Sequence, residues 1–395
     1  MYFAADGAGM ANGDATVWQG YGRKRRSDVA RSRSSQGRRP SCYTTTRRDS
    51  RHIDSFALSP FEAGHNVFRT ICAASALSAV LLVSACGAGS AAQPAVDAAA
   101  STLPRIVAHR GGTADAPENT LEAIRLAIAN HADAIWLTVQ LSMDGVPVLY
   151  RPADLSALTD AKGPVASHSA AQLAHINAGW TFKGSDSGNP YPYRAHPTSI
   201  PTLSEALRAI PAHIPVVLDM KATPAEPQVH AVARVLTEED AWSRVTIYST
   251  DAAYQRSFAA YPQARVFESR DATRQRLVRA LLAGQCDDAP AAHTWTAFEL
   301  HRVLKVTEEF TLGEGRSEVN ATLWTPATVA CFRQQPDVRI VAIAVNNADD
   351  YRAMACLGVD AVLSDSPRQM SAIRASLAAA SSGGQRKAIG CGDAQ

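Results

Sequence analysis

Residues 105–151 constrain this chain more than any other stretch. They read RIVAHRGGTADAPENTLEAIRLAIANHADAIWLTVQLSMDGVPVLYR. A short apolar run delivers His109 and Arg110, and Gly111 and Gly112 follow at once. That is a strand brought to an abrupt stop. Asn119 with Glu122 three residues on has the spacing of a capping box, and predicts a helix with an apolar stripe of Leu121, Ile124 and Ile128. AIWLTVQL is the next strand, and Asp144-Gly145 turns it back into VPVLY. Ile135, Leu137, Val139 and Leu141 fall on one face of that strand; Trp136, Thr138 and Gln140 fall on the other. Strands separated by a helix join in parallel, with the helix covering the sheet.

The alternation continues. HIPVVLDMK, RVTIYS, ARVFES, TWTAFEL, RIVAIAVN and DAVLSDSP read as later strands, with helices between most of them and one over roughly 225–238. KVTEEFTLGEGRSEVNATLW, after 304, reads as an inserted hairpin, and 152–200 is polar and rich in turn residues. About eight strands with intervening helices predict an α/β chain with a single (β/α)8 TIM-type barrel over 104–380, carrying the hairpin as an insertion. No dinucleotide glycine fingerprint follows the first strand, which disfavours a doubly wound open sheet.

The flanks read differently. Net charge is +2, which argues for no polyanionic partner, although residues 23–51 are crowded with Arg. That run lacks interleaved aromatics, so it predicts disorder and no nucleic-acid surface. Residues 67–86 carry one Arg and then an apolar, small-residue run ending in Val83-Ser84-Ala85-Cys86. They resemble a bacterial lipoprotein signal, which implies lipidation at Cys86, export and a membrane anchor. The run is too short and too rich in Ala and Ser for a membrane span. A signal placed 66 residues inside a chain makes no physical sense. The expected start is therefore near Val67, with 1–66 disordered or a mis-assigned start. Residues 87–103 read as a tether and 381–395 as a loose tail. Beyond Cys86, Cys286, Cys331, Cys356 and Cys391 form an even set in an exported chain, enough for two disulfides of unfixed connectivity.

The HRG…PENT…DG-PV order of residues 109–148, with AIAVN and GVDAVLSDSP near the end, resembles the glycerophosphodiester phosphodiesterase family over about 104–372. The resemblance implies a phosphoric diester hydrolase acting on glycerophosphodiesters or a related phospholipid headgroup. It makes His109 a catalytic acid/base and Arg110 a phosphate grip. It matches Asp219 and Lys221 to a strand that supplies a metal carboxylate and a phosphate-binding Lys. Asp365, at another strand end, joins them as a substrate-binding candidate.

Three positions depart from the family pattern. Trp136 and Thr138 stand where two carboxylates should hold a divalent cation, and Arg151 stands where a second catalytic His should be. Ca²⁺ or Mg²⁺ needs several oxygen ligands, so no metal or other cofactor is expected. Arg151 keeps its charge and cannot exchange protons. Two readings follow. Arg110, Arg151 and Lys221 clamp a phosphodiester without metal, as in the bacterial phosphatidylinositol-specific phospholipases C that this arrangement resembles. Alternatively the chain is a degenerate phosphate- or lipid-binding envelope lipoprotein. His168, His175 and His196 are candidates for the missing acid/base by position, and Ser249, Glu268, Glu299 and Asn346 are further strand-end polar residues. Trp180, Phe182 and Tyr191–Arg194 form an aromatic loop, suited to stacking on a headgroup or to packing on itself.

Overall fold

The computed structural model describes residues 103–184, 188–381 and 391. The Arg-rich run, the signal-like segment with Cys86, most of the tether and most of the tail lie outside the described residues. Among the described residues no helix is long and apolar enough to cross a membrane.

In chain order the strands are β1 (Arg105–His109), β2 (Ala134–Leu141), β3 (Pro147–Leu149), β4 (Val216–Met220), β5 (Val245–Tyr248), β6 (Arg265–Val266), β7 (Trp295–Glu299), β8 (His301–Phe310), β9 (Gly313–Thr322), β10 (Arg339–Ile343) and β11 (Ala361–Ser364). Eight of them pair in the order β6-β5-β4-β2-β1-β11-β10-β7. Every pairing along that path is parallel. A parallel bridge from Phe267 to Trp295 joins the two ends of the path, and the Glu268 N–H donates to the Trp295 carbonyl at 2.9 Å. The result is the (β/α)8 barrel that the strand–helix alternation predicts. β3 folds back antiparallel on β2, and β8–β9 form the separate hairpin, laddered from His301 to Thr322.

Strand parity sorts the core. Ile135, Leu137 and Val139 of β2, with Val216 and Leu218 of β4, face outward against helices in one large cluster. A second cluster packs the outer faces of β7, β10 and β11. The inward positions, among them Val107, Ala134, Trp136, Val217, Tyr248, Phe267, Ala297, Val341 and Leu363, fill the barrel. This interior is aromatic on one side: Trp136 lies 4.7 Å from Tyr248 and 5.7 Å from Phe267, and Phe267 lies 5.7 Å from Trp295, centroid to centroid. Such pairs add about 0.5–1.5 kcal/mol each beyond their burial.

The first helix, Leu121–Ala129, is capped by Thr120, whose hydroxyl accepts from the Ala123 N–H. The expected cap, Asn119, instead takes a left-handed φ of 60° and accepts the Thr138 N–H on its Oδ1 at 2.8 Å. It pins the loop to β2, a task that Asn performs because it tolerates positive φ. Disulfides join Cys286 to Cys331 and Cys356 to Cys391.

Candidate active site

The parity that fills the barrel also fixes what crowns it. Two residues beyond Val107 is His109; two beyond Trp136 is Thr138; two beyond Val217 is Asp219; two beyond Ala297 is Glu299; and two beyond Leu363 is Asp365. All stand on the inward face at the C-terminal ends of their strands, where barrels of this class carry their chemistry. Thr138 pairs with Asp219, and Asp219 with Tyr248, so these three form one tier.

His109 is held on one side. Its Nδ1 lies 2.6 Å from Asp365 Oδ1. The same oxygen accepts the Thr113 hydroxyl at 2.9 Å, and Oδ2 accepts the Asn346 amide at 2.8 Å. Asn346 returns its carbonyl oxygen to the Asp365 N–H at 2.8 Å. Burial alone would raise the Asp365 carboxyl. The His109 bond and charge, with the Thr113 and Asn346 bonds, outweigh that and hold it at about 2. Asp365 therefore stays anionic at any working pH and fixes the ring through Nδ1, while Nε2 makes no hydrogen bond among the described residues.

Arg110 follows with a left-handed φ of 51°, and Gly111 and Gly112 continue the turn at 84° and 106°. A Cβ on Gly111 would meet the Ala123 Cβ at 2.9 Å, and one on Gly112 the Pro367 ring at 2.9 Å, so the loop must be glycine to lie flat on the barrel end. One arm of Arg110 is committed: Nη1 donates to Glu118 Oε2 at 2.5 Å. Across the rim, Lys221 Nζ lies 2.9 Å from Asp219 Oδ1. That contact lacks a hydrogen bond's alignment, and Oδ1 has no hydrogen-bond partner. Tyr150 donates its N–H to the Thr138 carbonyl at 3.1 Å, which keeps the chain leaving β3 beside the C-terminal end of β2, where Arg151 follows. Its backbone carbonyl accepts from Gln140, and among the described residues its side chain makes no hydrogen bond or ion pair.

The other strand-end acids are engaged. Glu299 takes Arg270 on both oxygens at 2.5 and 2.6 Å. Arg270 also donates to the Tyr248 hydroxyl at 3.1 Å and lies 4.2 Å over the Phe298 ring. Glu268 takes Arg276 at 2.7 Å and Thr273 at 2.8 Å. Tyr248 is buried, which pushes its phenol up to about 12. Ser249 donates to the Met220 carbonyl and serves the chain turn. His168 sits beside the Pro164 carbonyl, and His175 and His196 are exposed; none of the three bonds to a rim residue. The aromatic loop packs largely on itself: Arg194 lies over the Trp180 and Tyr191 rings, and Phe182 meets Tyr193 edge-on.

The residues present do not suit a divalent cation. Trp136 is 2% exposed and fills the place of one carboxylate. Thr138 offers a buried hydroxyl whose oxygen has no hydrogen-bond partner. Asp219 already faces an ammonium. Among the described residues no three His, Cys, Asp or Glu side chains converge as a metal site. Glu118, Thr113 and Arg270, the partner of Glu299, are the site members that sequence reasoning passed over. Glu118 lies within the PENT motif, which is the signal that could have found it.

His109, Arg110, Asp219, Lys221 and Asp365 thus stand together at one end of a TIM-type barrel. Residues 109–369 match the sequence model of the glycerophosphoryl diester phosphodiesterase family. The chain belongs to that family. It is 49% identical over 288 residues to the uncharacterized protein Rv2277c of Mycobacterium tuberculosis, covering 73% of this chain and 95% of that one. The crystal structure of the glycerophosphoryl diester phosphodiesterase domain of that protein superposes with a TM-score of 0.66 at 48% identity, covering 69% of this chain and all of that one. An Oleispira antarctica phosphodiesterase in complex with the product sn-glycerol-3-phosphate shares the fold, with a TM-score of 0.51 at 21% identity, covering 69% of this chain and 97% of that one.

Proposed function

We propose that the chain hydrolyses glycerophosphodiesters, or a related phospholipid headgroup, without a divalent metal. The observation that carries this is the His109–Asp365 pair at 2.6 Å, set on the same rim as Arg110, Arg151 and the Lys221–Asp219 pair. His109 Nε2 exchanges the proton at a phosphoester oxygen, the role that Asp365 orients it for. Arg110 offers the N–H groups that Glu118 leaves free, and Arg151 and Lys221 add fixed charge where phosphoryl oxygens gain it in the transition state. The glycerol phosphate bound by the Oleispira neighbour supports a small phosphodiester as substrate.

Trp136 in the ligand position favours the second reading, a barrel that binds phosphate or lipid and leaves it intact. Assay on a glycerophosphodiester panel separates the two. The expected outcome is hydrolysis that chelator leaves unchanged; no turnover with or without Ca²⁺ and Mg²⁺ selects the binder. The apolar run ending at Cys86 further supports export with a lipid on that cysteine. Wild-type chain should fractionate with membranes, and Cys86→Ser should leave it soluble or unprocessed. A soluble wild type ends the anchor proposal.

A further inference from the structure

The insertion after β7 leaves a sheet unfinished. β8 and β9, ten residues each, pair from His301–Thr322 to Phe310–Gly313 across the two-residue turn Thr311-Leu312. The base of this hairpin is packed: Leu304 and Ala321 join the cluster outside β7 and β10, and Arg302 reaches Glu299. Beyond it, every residue of β9 from Gly313 to Asn320 except Gly315 is exposed. A two-stranded hairpin is marginal in water until a further strand or a helix covers it. β9 carries neither Pro nor Lys, two devices that blunt a free edge, whereas β8 carries Lys305.

We propose that β9 is a dimerisation edge, which pairs antiparallel with β9 of a second copy of this chain and completes a four-stranded sheet. Hydrogen-bonded and open pairs alternate along an antiparallel ladder. Counted from the closing pair Phe310–Gly313, the N–H and C=O groups of Glu314, Arg316, Glu318 and Asn320 turn away from β8 and are free to pair. A twofold axis at Ser317 sets Arg316 opposite the partner's Glu318, and Glu314 opposite the partner's Asn320. Moving the axis to Arg316 opposes that residue to itself and Glu314 to Glu318; moving it to Glu318 opposes two glutamates. Like charges directly opposite are destabilising, so charge selects the register centred on Ser317 over these two. An axis at Gly315 leaves only residues 313–317 overlapping. Within one chain Arg316 donates to Glu314 at 3.0 Å and Lys305 lies 3.9 Å from Glu318, so the dimer extends a row of alternating charge. The exposed apolar groups meet in the same register. Phe310, Gly315 and Val319 share one face of the hairpin, and a Cβ on Gly315 would meet the Phe310 ring at 2.6 Å. The partner's Val319 falls opposite Gly315, against that ring, and covers two side chains that water otherwise surrounds.

The test is analytical ultracentrifugation of the full chain over a concentration series, which should show a reversible dimer. Arg316→Glu and Glu318→Arg should each give a monomer alone. An equimolar mixture of the two should dimerise, because each strand then meets the opposite charge. Both positions are exposed, and circular dichroism should show the native fold in each variant. Ser317→Cys places two sulfurs on the axis, across an open pair with Cα atoms about 4.5 Å apart, within disulfide reach. Mild oxidation should crosslink that variant and leave Asn320→Cys, far from its own copy, uncrosslinked. A native chain that stays monomeric overturns the proposal. So does a dimer that both single substitutions leave intact, or one that Ser317→Cys fails to crosslink. A monomer that binds phosphatidylcholine vesicles and releases them on Phe310→Ser assigns the apolar face to a bilayer, and overturns it as well.

Discussion

Trp136 and Arg151 stand at two of the positions where this chain leaves its family's pattern, and they act in opposite senses. Truncating a buried tryptophan costs about 3–5 kcal/mol. Trp136, stacked with Tyr248 and Phe267, is therefore part of what holds the barrel interior, and its place is not open to an ion. Arg151 carries a permanent positive charge that no ion pair neutralises among the described residues. If it stabilises phosphoryl charge as it develops, Arg151→Ala should lower kcat by about a hundredfold or more, the 2.7–4 kcal/mol typical of such donors. His109→Ala should lower it by ~10²–10⁴ through loss of proton transfer. Steady-state kinetics on a glycerophosphodiester decides this. If Arg151→Ala turns over at the native rate, the clamp role is wrong. If His109→Ala does, the dyad is not the acid/base.

At the scale of elements, the sequence was legible wherever one rule acted alone. The 2-residue period of AIWLTVQL put Trp136 and Thr138 on one face and Leu137 on the other, and the packing clusters turn Trp136 into the barrel and Leu137 outward. It failed where two rules share a residue type. Asn119 before a helix reads as a cap, yet Asn is also favoured at positive φ, and tertiary contact with Thr138 chose the second. Glu268 and Glu299 read as open strand-end acids. Their neutralisation comes from the next helix, Arg270–Ala283, whose Arg270 and Arg276 turn back over the rim. Only the fold makes that meeting visible. The aromatic loop could face a ligand or itself, and composition does not distinguish the two. Disulfide pairing has the same character: four cysteines permit several connectivities, and only the fold brings Cys286 to Cys331 and Cys356 to Cys391.

Over the whole molecule, these two crosslinks are the covalent constraints among the described residues. They close loops of 45 and 35 residues in the second half of the chain, where the long β8–β9 hairpin interrupts the strand–helix rhythm. Loop-closure entropy assigns each about 4 kcal/mol. At roughly 2–4 °C per kcal/mol for a domain near this size, losing both should lower the melting temperature by about 15 °C or more. Disulfides persist in oxidising compartments, which fits the export proposed for the apolar run ending at Cys86. A carboxylate-bound cation would reverse this dependence. Ligand at ~100 Kd adds about 2.7 kcal/mol, so a resident Ca²⁺ would shift melting clearly on addition or chelation. Melting of the full chain by differential scanning calorimetry should therefore fall on treatment with reductant and stay fixed with EDTA or micromolar Ca²⁺. A melting point indifferent to reductant would show that the crosslinks do not govern stability. One that rises saturably with Ca²⁺ would mean that residues other than Trp136 and Thr138 supply the oxygens of a rebuilt cation site, and would remove the ground for metal-free catalysis.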